Sequence, residues 1–143
     1  MNDCYANFII QFILIKSRDY KFEEIIPIIE KIENNILNYS KAKYSASVIE
    51  KCFERGDLKI KEHICQYLVN YCSDKLIDII LNQYGLYIIK KALTIESKSL
   101  TEKIMNVIIS NINIINNDVN GKKFLENLNQ NDKVILMSLI NKK

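Results

Sequence analysis

Four sets of three side chains stand at the spacing i, i+1, i+4: Asn7, Phe8 and Gln11; Ala46, Ser47 and Glu50; Leu86, Tyr87 and Lys90; Lys122, Lys123 and Glu126. On a helix the first and third of each set lie one above the other. The middle residue is turned by about 100° toward a neighbour. The Asn7 and Gln11 amides both donate and accept, the Glu50 carboxylate accepts, and the Lys90 ammonium only donates. Phe8 and Tyr87 add flat rings. Side chains of this kind at this spacing suit planar objects with hydrogen-bonding edges, as unpaired RNA bases are. Packed helices lie roughly 8–10 Å apart, whereas stacked bases are about 3.4 Å apart. One base per helix therefore requires a planar filler between successive bases, and Phe8 and Tyr87 are placed to supply it.

Other chemistry finds little support. The single histidine, His63, has no serine or cysteine nucleophile at a motif spacing, and no GxGxxG or GxxxxGK occurs. Cys4, Cys52, Cys65 and Cys72 include no CxxC pair, and His63-x-Cys65 followed by Cys72 lacks metal-ligand spacing. The thiols read as reduced and structural. No enzyme, cofactor or metal is expected. No apolar run reaches the roughly 18 residues of a membrane span. The apolar N-terminal stretch follows an acidic residue rather than a basic one and lacks a cleavage site. A soluble intracellular protein without a membrane partner is the expectation. The net charge of +3 permits a polyanion without demanding one.

The elements that must position the triplets are repeated. DCYANFIIQFIL, AKYSASVIEKCF, NQYGLYIIKKAL and DVNGKKFLENLN align, with intervals of 39, 40 and 36 residues. A ring stands at Tyr5, Tyr44 and Tyr84, replaced by Asn120 in the last copy, and these rings are expected in packing. The next residue is always small: Ala6, Ser45, Gly85, Gly121. Glycine costs about 1 kcal/mol within a helix, so its recurrence there predicts close approach of a neighbouring backbone. Apolar pairs follow at Ile9-Ile10, Val48-Ile49, Ile88-Ile89 and Phe124-Leu125 and begin buried helix rows. Between the copies, Ile25/Ile29/Ile32/Ile36, Ile60/Ile64/Leu68/Tyr71 and Ile104/Ile108/Ile112/Ile115 each predict an amphipathic helix of about four turns. Pro27 is expected either to kink the first or to mark its first turn. Leu76, Ile77, Ile80 and Leu81 predict a shorter helix, and Val134, Ile135, Leu139 and Ile140 a final one that caps the stack. With one proline and three glycines, the period predicts an all-α solenoid with three helices per unit.

The segments YANFIIQ, YSASVIEKC and NQYGLYIIKKAL resemble the base-reading helices of the Pumilio (Puf) RNA-binding repeats. Those typically run Y-[AG]-N-Y-x-x-Q in one repeat and F-A-S-N-x-x-E-K-C in the next. The most specific element is Ser47-Val48-Ile49-Glu50-Lys51-Cys52. The resemblance covers nearly all of residues 1–143 and is nearest to the last three repeats and the C-terminal half-repeat. It implies a right-handed α-solenoid (α-α superhelix) of about three and a half three-helix Pumilio-type repeats, as a single domain. The base-reading helices then lie near 3–15, 42–54, 82–95 and 118–128. The family binds single-stranded RNA, in mRNA 3′ untranslated regions, on its concave face, and its last repeats usually read a 5′-UGU core. Protein effectors on the convex face are the other partner class implied.

The resemblance implies that Asn7 and Gln11 read uracil, and that Glu50 reads guanine by accepting from N1–H and N2–H. Ala46 stands in place of the usual serine beside Glu50, and weakens that reader. Phe8, Ser47 and Tyr87 occupy the stacking places, Ser47 poorly. Leu86 and Lys90 hold base-edge places without uracil chemistry, since leucine has no polar atom and lysine cannot accept from N3–H. On this reading Leu86→Asn with Lys90→Gln creates a uracil preference. Lys51, Lys91, Lys122 and Lys123 are assigned to phosphates. The expected site is 5′-NGU, and the expected role is post-transcriptional regulation in the cytoplasm. Two alternatives stand beside it: a divergent nucleolar ribosome-biogenesis factor with little sequence preference, and a HEAT- or armadillo-like protein-interaction solenoid. Asn7 follows Met1 by six residues, so the first unit is expected to lack its leading helix in this chain. The crowded apolar residues Phe8 to Ile15 are then expected to meet earlier repeats of a longer solenoid, or a partner.

Overall fold

A computed structural model describes residues 10–11 and 22–141. Among the described residues the elements are helices: α1 (Phe22–Glu33), α2 (Ile36–Tyr39), α3 (Lys43–Arg55), α4 (Leu58–Tyr71), α5 (Leu76–Ile80), α6 (Gly85–Ala92), α7 (Lys98–Ser110), α8 (Ile112–Asn117), α9 (Val119–Glu126) and α10 (Gln130–Ile140), with one 3₁₀ turn at Ser73–Lys75. The fold is all-α, as the periodicity implies. None of these helices is long and apolar enough to cross a membrane.

The helices form two ladders. One ladder is α3, α6 and α9, each packed on the next; a second is α1, α4, α7 and α10; the short helices α2, α5 and α8 lie between them along the chain. Each unit contributes one helix to each ladder, so every unit buries its apolar side against its own partners and against the unit beside it. Ile60, Ile64 and Leu68 on α4 and Ile104 and Ile108 on α7 are buried completely.

Two of the three predicted long helices are interrupted. Ile25, Ile29, Ile32 and Ile36 are all buried, but a turn at Asn34–Asn35 places Ile36 in α2. The third row breaks likewise at Asn111, leaving Ile112 and Ile115 in α8. The cause is shared. The Asn35 amide donates to the Lys31 carbonyl at 3.1 Å, and the Asn111 amide to the Val107 carbonyl at 2.8 Å. A side chain that bonds four residues back competes with the backbone ladder. Apolar rows run through such a break unchanged, so periodicity alone does not show it. Pro27 is the sixth residue of α1 and exposed. It therefore does not mark the first turn; its ring faces solvent in a helix that continues through it. The final helix also differs from expectation. On α10 Leu136 is buried, whereas Val134, Met137 and Ile140 are exposed, at 58%, 63% and 37%.

The recurring small residue has a direct explanation. A Cβ placed on Gly85 would overlap the Ile79 carbonyl oxygen and stand 2.8 Å from the Ile79 Cγ2. A Cβ on Gly121 would overlap the Ile115 carbonyl oxygen and stand 2.9 Å from its carbonyl carbon. In the second unit the same column holds Ser45, whose hydroxyl donates to the Tyr39 carbonyl at 2.8 Å. In all three units the carbonyl six residues earlier meets the start of the helix in the α3–α6–α9 ladder. Gly121→Ala is expected to lower stability by about 1–3 kcal/mol by overpacking, even though alanine favours a helix by about 1 kcal/mol. Thermal unfolding checks this, and an unchanged or higher midpoint would mean that α8 and α9 can separate at no cost.

Helices α6 and α9 are also tied at their N-termini. Asp118 accepts from the Gly121 N–H at 2.8 Å, and Asn82 from the Tyr84 and Gly85 N–H groups at 2.9 and 3.2 Å. These bonds satisfy donors that no helical carbonyl reaches. Asn120, which replaces the ring in the last copy, donates to the Leu81 carbonyl at 2.9 Å. It thereby ties α9 to the end of α5 with a polar bond where Tyr84 instead packs on the core. Tyr44 departs from the packing expectation. It is 39% exposed, with the Lys43 ammonium 5.6 Å from its ring centre. Tyr5 lies outside the described residues.

Candidate nucleic-acid interface

The accessible face of the α3–α6–α9 ladder is narrower than the triplets suggest. Ala46 and Leu86 are 1% and 0% exposed and belong to the core. They extend the rows Ala46–Ile49–Phe53 and Leu86–Ile89–Leu93, all of them buried. The first residue of these two triplets therefore faces inward, and the base-edge roles assigned to Ala46 and Leu86 have no surface to act from. The physical reason is the ladder itself: α6 is flanked by α3 on one side and α9 on the other, which widens its apolar arc beyond a single stripe. The row at i, i+3, i+7 was the available signal. In the last copy the equivalent residue is Lys122, which is exposed.

What remains on the surface is Gln11 with Ser47, Glu50, Lys51 and Glu54; then Tyr87, Lys90, Lys91 and Thr94; then Lys123 and Glu126. The Gln11 amide lies 3.4 Å from the Ser47 hydroxyl and donates to it, so the second unit's middle residue meets the first unit's amide. Asn7 and Phe8 fall outside the described residues.

Around Glu50 the charges are interlocked. Glu54 pairs with Lys51 of its own helix at 2.5 Å and with Lys91 of the next unit at 3.0 Å. These two contacts hold the Glu54 carboxyl below its ordinary pKa. Glu50 itself is half-buried and takes part in none of these pairs. Burial, and then repulsion from Glu54, push its pKa above the ordinary 4.5, with Lys91 and Lys51 opposing. The assignment of Lys51 and Lys91 to phosphates thus meets a competing partner, since both ammonium groups already rest on Glu54.

The third unit is differently charged. The Lys90 and Lys123 ammonium groups lie 5.6 and 5.3 Å from the centre of the Tyr87 ring. Lys122 is exposed beside them in sequence. Among the described residues, none of these three lysines has a carboxylate within ion-pair distance.

The described cysteines take no part in this face, and Cys4 lies outside the described residues. Cys52, Cys65 and Cys72 are buried and unbonded to one another. Burial pushes the Cys52 and Cys65 thiols up to about 12, so neither offers a thiolate near neutral pH. His63 instead meets the buried Glu33 at 2.5 Å, joining α4 to α1. Among the described residues no group of His, Cys, Asp and Glu side chains is arranged to hold a metal ion.

Comparison with known proteins agrees with this architecture. No family model matches the chain. The chain is 29% identical over 126 residues to Pumilio homolog 12 of Arabidopsis thaliana, a match that covers 88% of this chain and 20% of the relative. Its fold superposes on the crystal structure of PUF-8 in complex with PBE-RNA with a TM-score of 0.75 at 22% identity, over 87% of this chain and 36% of the other. The chain has the α-solenoid fold of PUF-8. It spans about a fifth of the length of the plant relative and about a third of PUF-8. In this solenoid, α3, α6 and α9 are the helices that the sequence patterns mark as base-reading, and they stand in one ladder.

Proposed function

We propose that the chain binds single-stranded RNA along the face formed by α3, α6 and α9, with Glu50 contacting guanine and the Asn7/Gln11 pair contacting uracil. The observation that carries this reading is the ladder itself. It brings Gln11, Ser47, Glu50, Tyr87, Lys90 and Lys123 to one surface, in a fold shared with a protein solved in complex with RNA. An ionised carboxylate can accept from both N1–H and N2–H of one guanine, and Gln11 both donates and accepts as a uracil edge requires. Stacked contacts contribute about 1–3 kcal/mol per base, against an association cost of about 4 kcal/mol or more. Affinity is therefore expected to be about micromolar at best. The cellular reading that follows is recognition of mRNA 3′ untranslated regions in the cytoplasm, one base per repeat.

Selection of bound RNAs from a random pool tests the proposal. Enrichment of a G-U step is the expected result, and its absence from an otherwise successful selection would sink it. A second reading, RNA binding with little sequence preference, is favoured by a specific observation: Leu86 is buried, so the third unit has lost one of its two base-edge side chains. The same selection separates the two, because a preference-free binder returns no consensus.

The Glu50 pKa adds a pH dependence. Guanine contact needs the ionised carboxylate, and the raised pKa means that protonation begins at higher pH than for an ordinary glutamate. Guanine preference is expected to fall as pH drops through that raised value. Stability moves the other way at this residue: ionised Glu50 disfavours the folded state, and that cost is recovered as pH falls. Glu54, held below its ordinary value, loses its stabilising contribution only at lower pH, as pH falls through its folded-state pKa. Binding titrations at several pH values, with circular dichroism at each, should show loss of guanine preference in a still-folded chain. Constant preference down to the unfolding transition would remove Glu50 from the interface.

A further inference from the structure

We infer that the third unit grips the RNA by its backbone, with Lys90 and Lys123 forming a phosphodiester clamp braced on the Tyr87 ring. The inference rests on the RNA-binding reading above and reassigns Lys90, which the repeat pattern places among the base readers. Three observations carry it. Leu86 is buried completely, so the residue that should share a base edge with Lys90 is absent from the surface. Both ammonium groups sit within cation–π range of one ring, Lys90 from α6 and Lys123 from α9. A ring already engaged by two cations is a poor platform for a neutral base, and it holds both cations at one place between neighbouring units. Third, the charge pattern changes along the ladder. Lys51 and Lys91 share Glu54, and Lys41 pairs with Asp78 at 3.4 Å. Lys90 and Lys123 have no acidic partner among the described residues. Two ammonium groups without a counter-charge, each with only donors to offer, suit phosphate oxygens better than a base edge that mixes donors and acceptors. Phosphate contacts position a strand and carry no sequence information. The unit therefore contributes affinity and register, while base choice is left to the units containing Glu50 and Gln11.

The test measures the affinity of the whole chain for a short G-U-containing single-stranded RNA over a range of salt concentrations. The partner set comprises four RNAs differing only at the nucleotide 5′ of the guanine. Each phosphate contact on a single strand adds about 0.7 to the slope of log affinity against log salt. Lys90→Ala with Lys123→Ala removes the contact to one phosphate, and is expected to lower that slope by about 0.7 and to weaken all four RNAs by the same factor. An RNA with an uncharged methylphosphonate at the corresponding linkage should bind the unaltered chain more weakly but the double variant no differently. An unchanged slope with altered preference among the four RNAs would make Lys90 a base reader and overturn the inference. Unchanged slope and unchanged affinity would place this face away from the RNA and overturn it too. Failure of the unaltered chain to bind RNA at all would overturn the proposed function along with it, so the two failures are distinguishable. Both lysines are on the surface, and an unchanged unfolding midpoint shows that the variants fold.

Discussion

Leu86→Asn is expected to destabilise the chain by about 2.5–6 kcal/mol, combining the lost burial of a leucine side chain, about 1.5–3 kcal/mol, with an amide left in the core without partners, about 1–3 kcal/mol. The family resemblance alone predicts something different at this position, a harmless surface change that together with Lys90→Gln installs a uracil reader. Leu86 is 0% exposed and shares its row with Ile89 and Leu93, which settles the choice of mechanism. An exposed substitution would stay within about 0.5 kcal/mol. Chemical denaturation distinguishes the two outcomes directly, with Leu86→Met as the volume-conserving control, expected to cost less than about 1.5 kcal/mol. A fully stable Leu86→Asn chain with a new preference for uracil would return Leu86 to the RNA-facing surface and overturn the buried assignment.

Glu50→Gln should reduce discrimination for guanine by tenfold or more. A hydrogen bond to a charged group contributes about 1.5–3 kcal/mol, and the amide that replaces the carboxylate offers one acceptor where guanine presents two donors. The substitution keeps the shape of the side chain and removes a charge that burial and Glu54 already disfavour. Fold stability is therefore expected to hold or rise slightly. That combination is the diagnostic one: less guanine preference in a chain that is no less stable. Competition binding between a G-U RNA and the same RNA with adenine in place of guanine provides the measurement. Equal discrimination by both chains would mean that Glu50 contacts no base.

Much of the architecture is legible in the residues because it rests on short-range geometry. The small column is one case. Ser45, Gly85 and Gly121 predict a backbone approach, and the structure supplies the partners, the carbonyls of Tyr39, Ile79 and Ile115. The apolar rows are another: Ile60, Ile64 and Leu68 are buried as their spacing requires. Legibility fails where a choice depends on a neighbouring element. The Asn35 and Asn111 breaks leave the apolar period intact. Val134 and Ile140 fit an inward helix pattern on α10 yet face solvent. Lys51 and Lys91 stand forty residues apart in equivalent places, and nothing local indicates that both meet Glu54.

The candidate site divides in the same way. The sequence by itself determined the repeat, the three helices per unit, the residues that open each helix of the α3–α6–α9 ladder, and the side chains proposed to meet RNA. Only the tertiary structure decided which of those side chains reach the surface. A helix packed on one side buries a single stripe, but α6 is packed from both flanks and from beneath, by α3, α9 and α5. That extra contact draws Leu86 into the core and leaves Tyr87, Lys90 and Lys123 to form the partly exposed cationic cluster. Burial at a repeat interface is a property of two units together, and a pattern read along one unit carries only half of it.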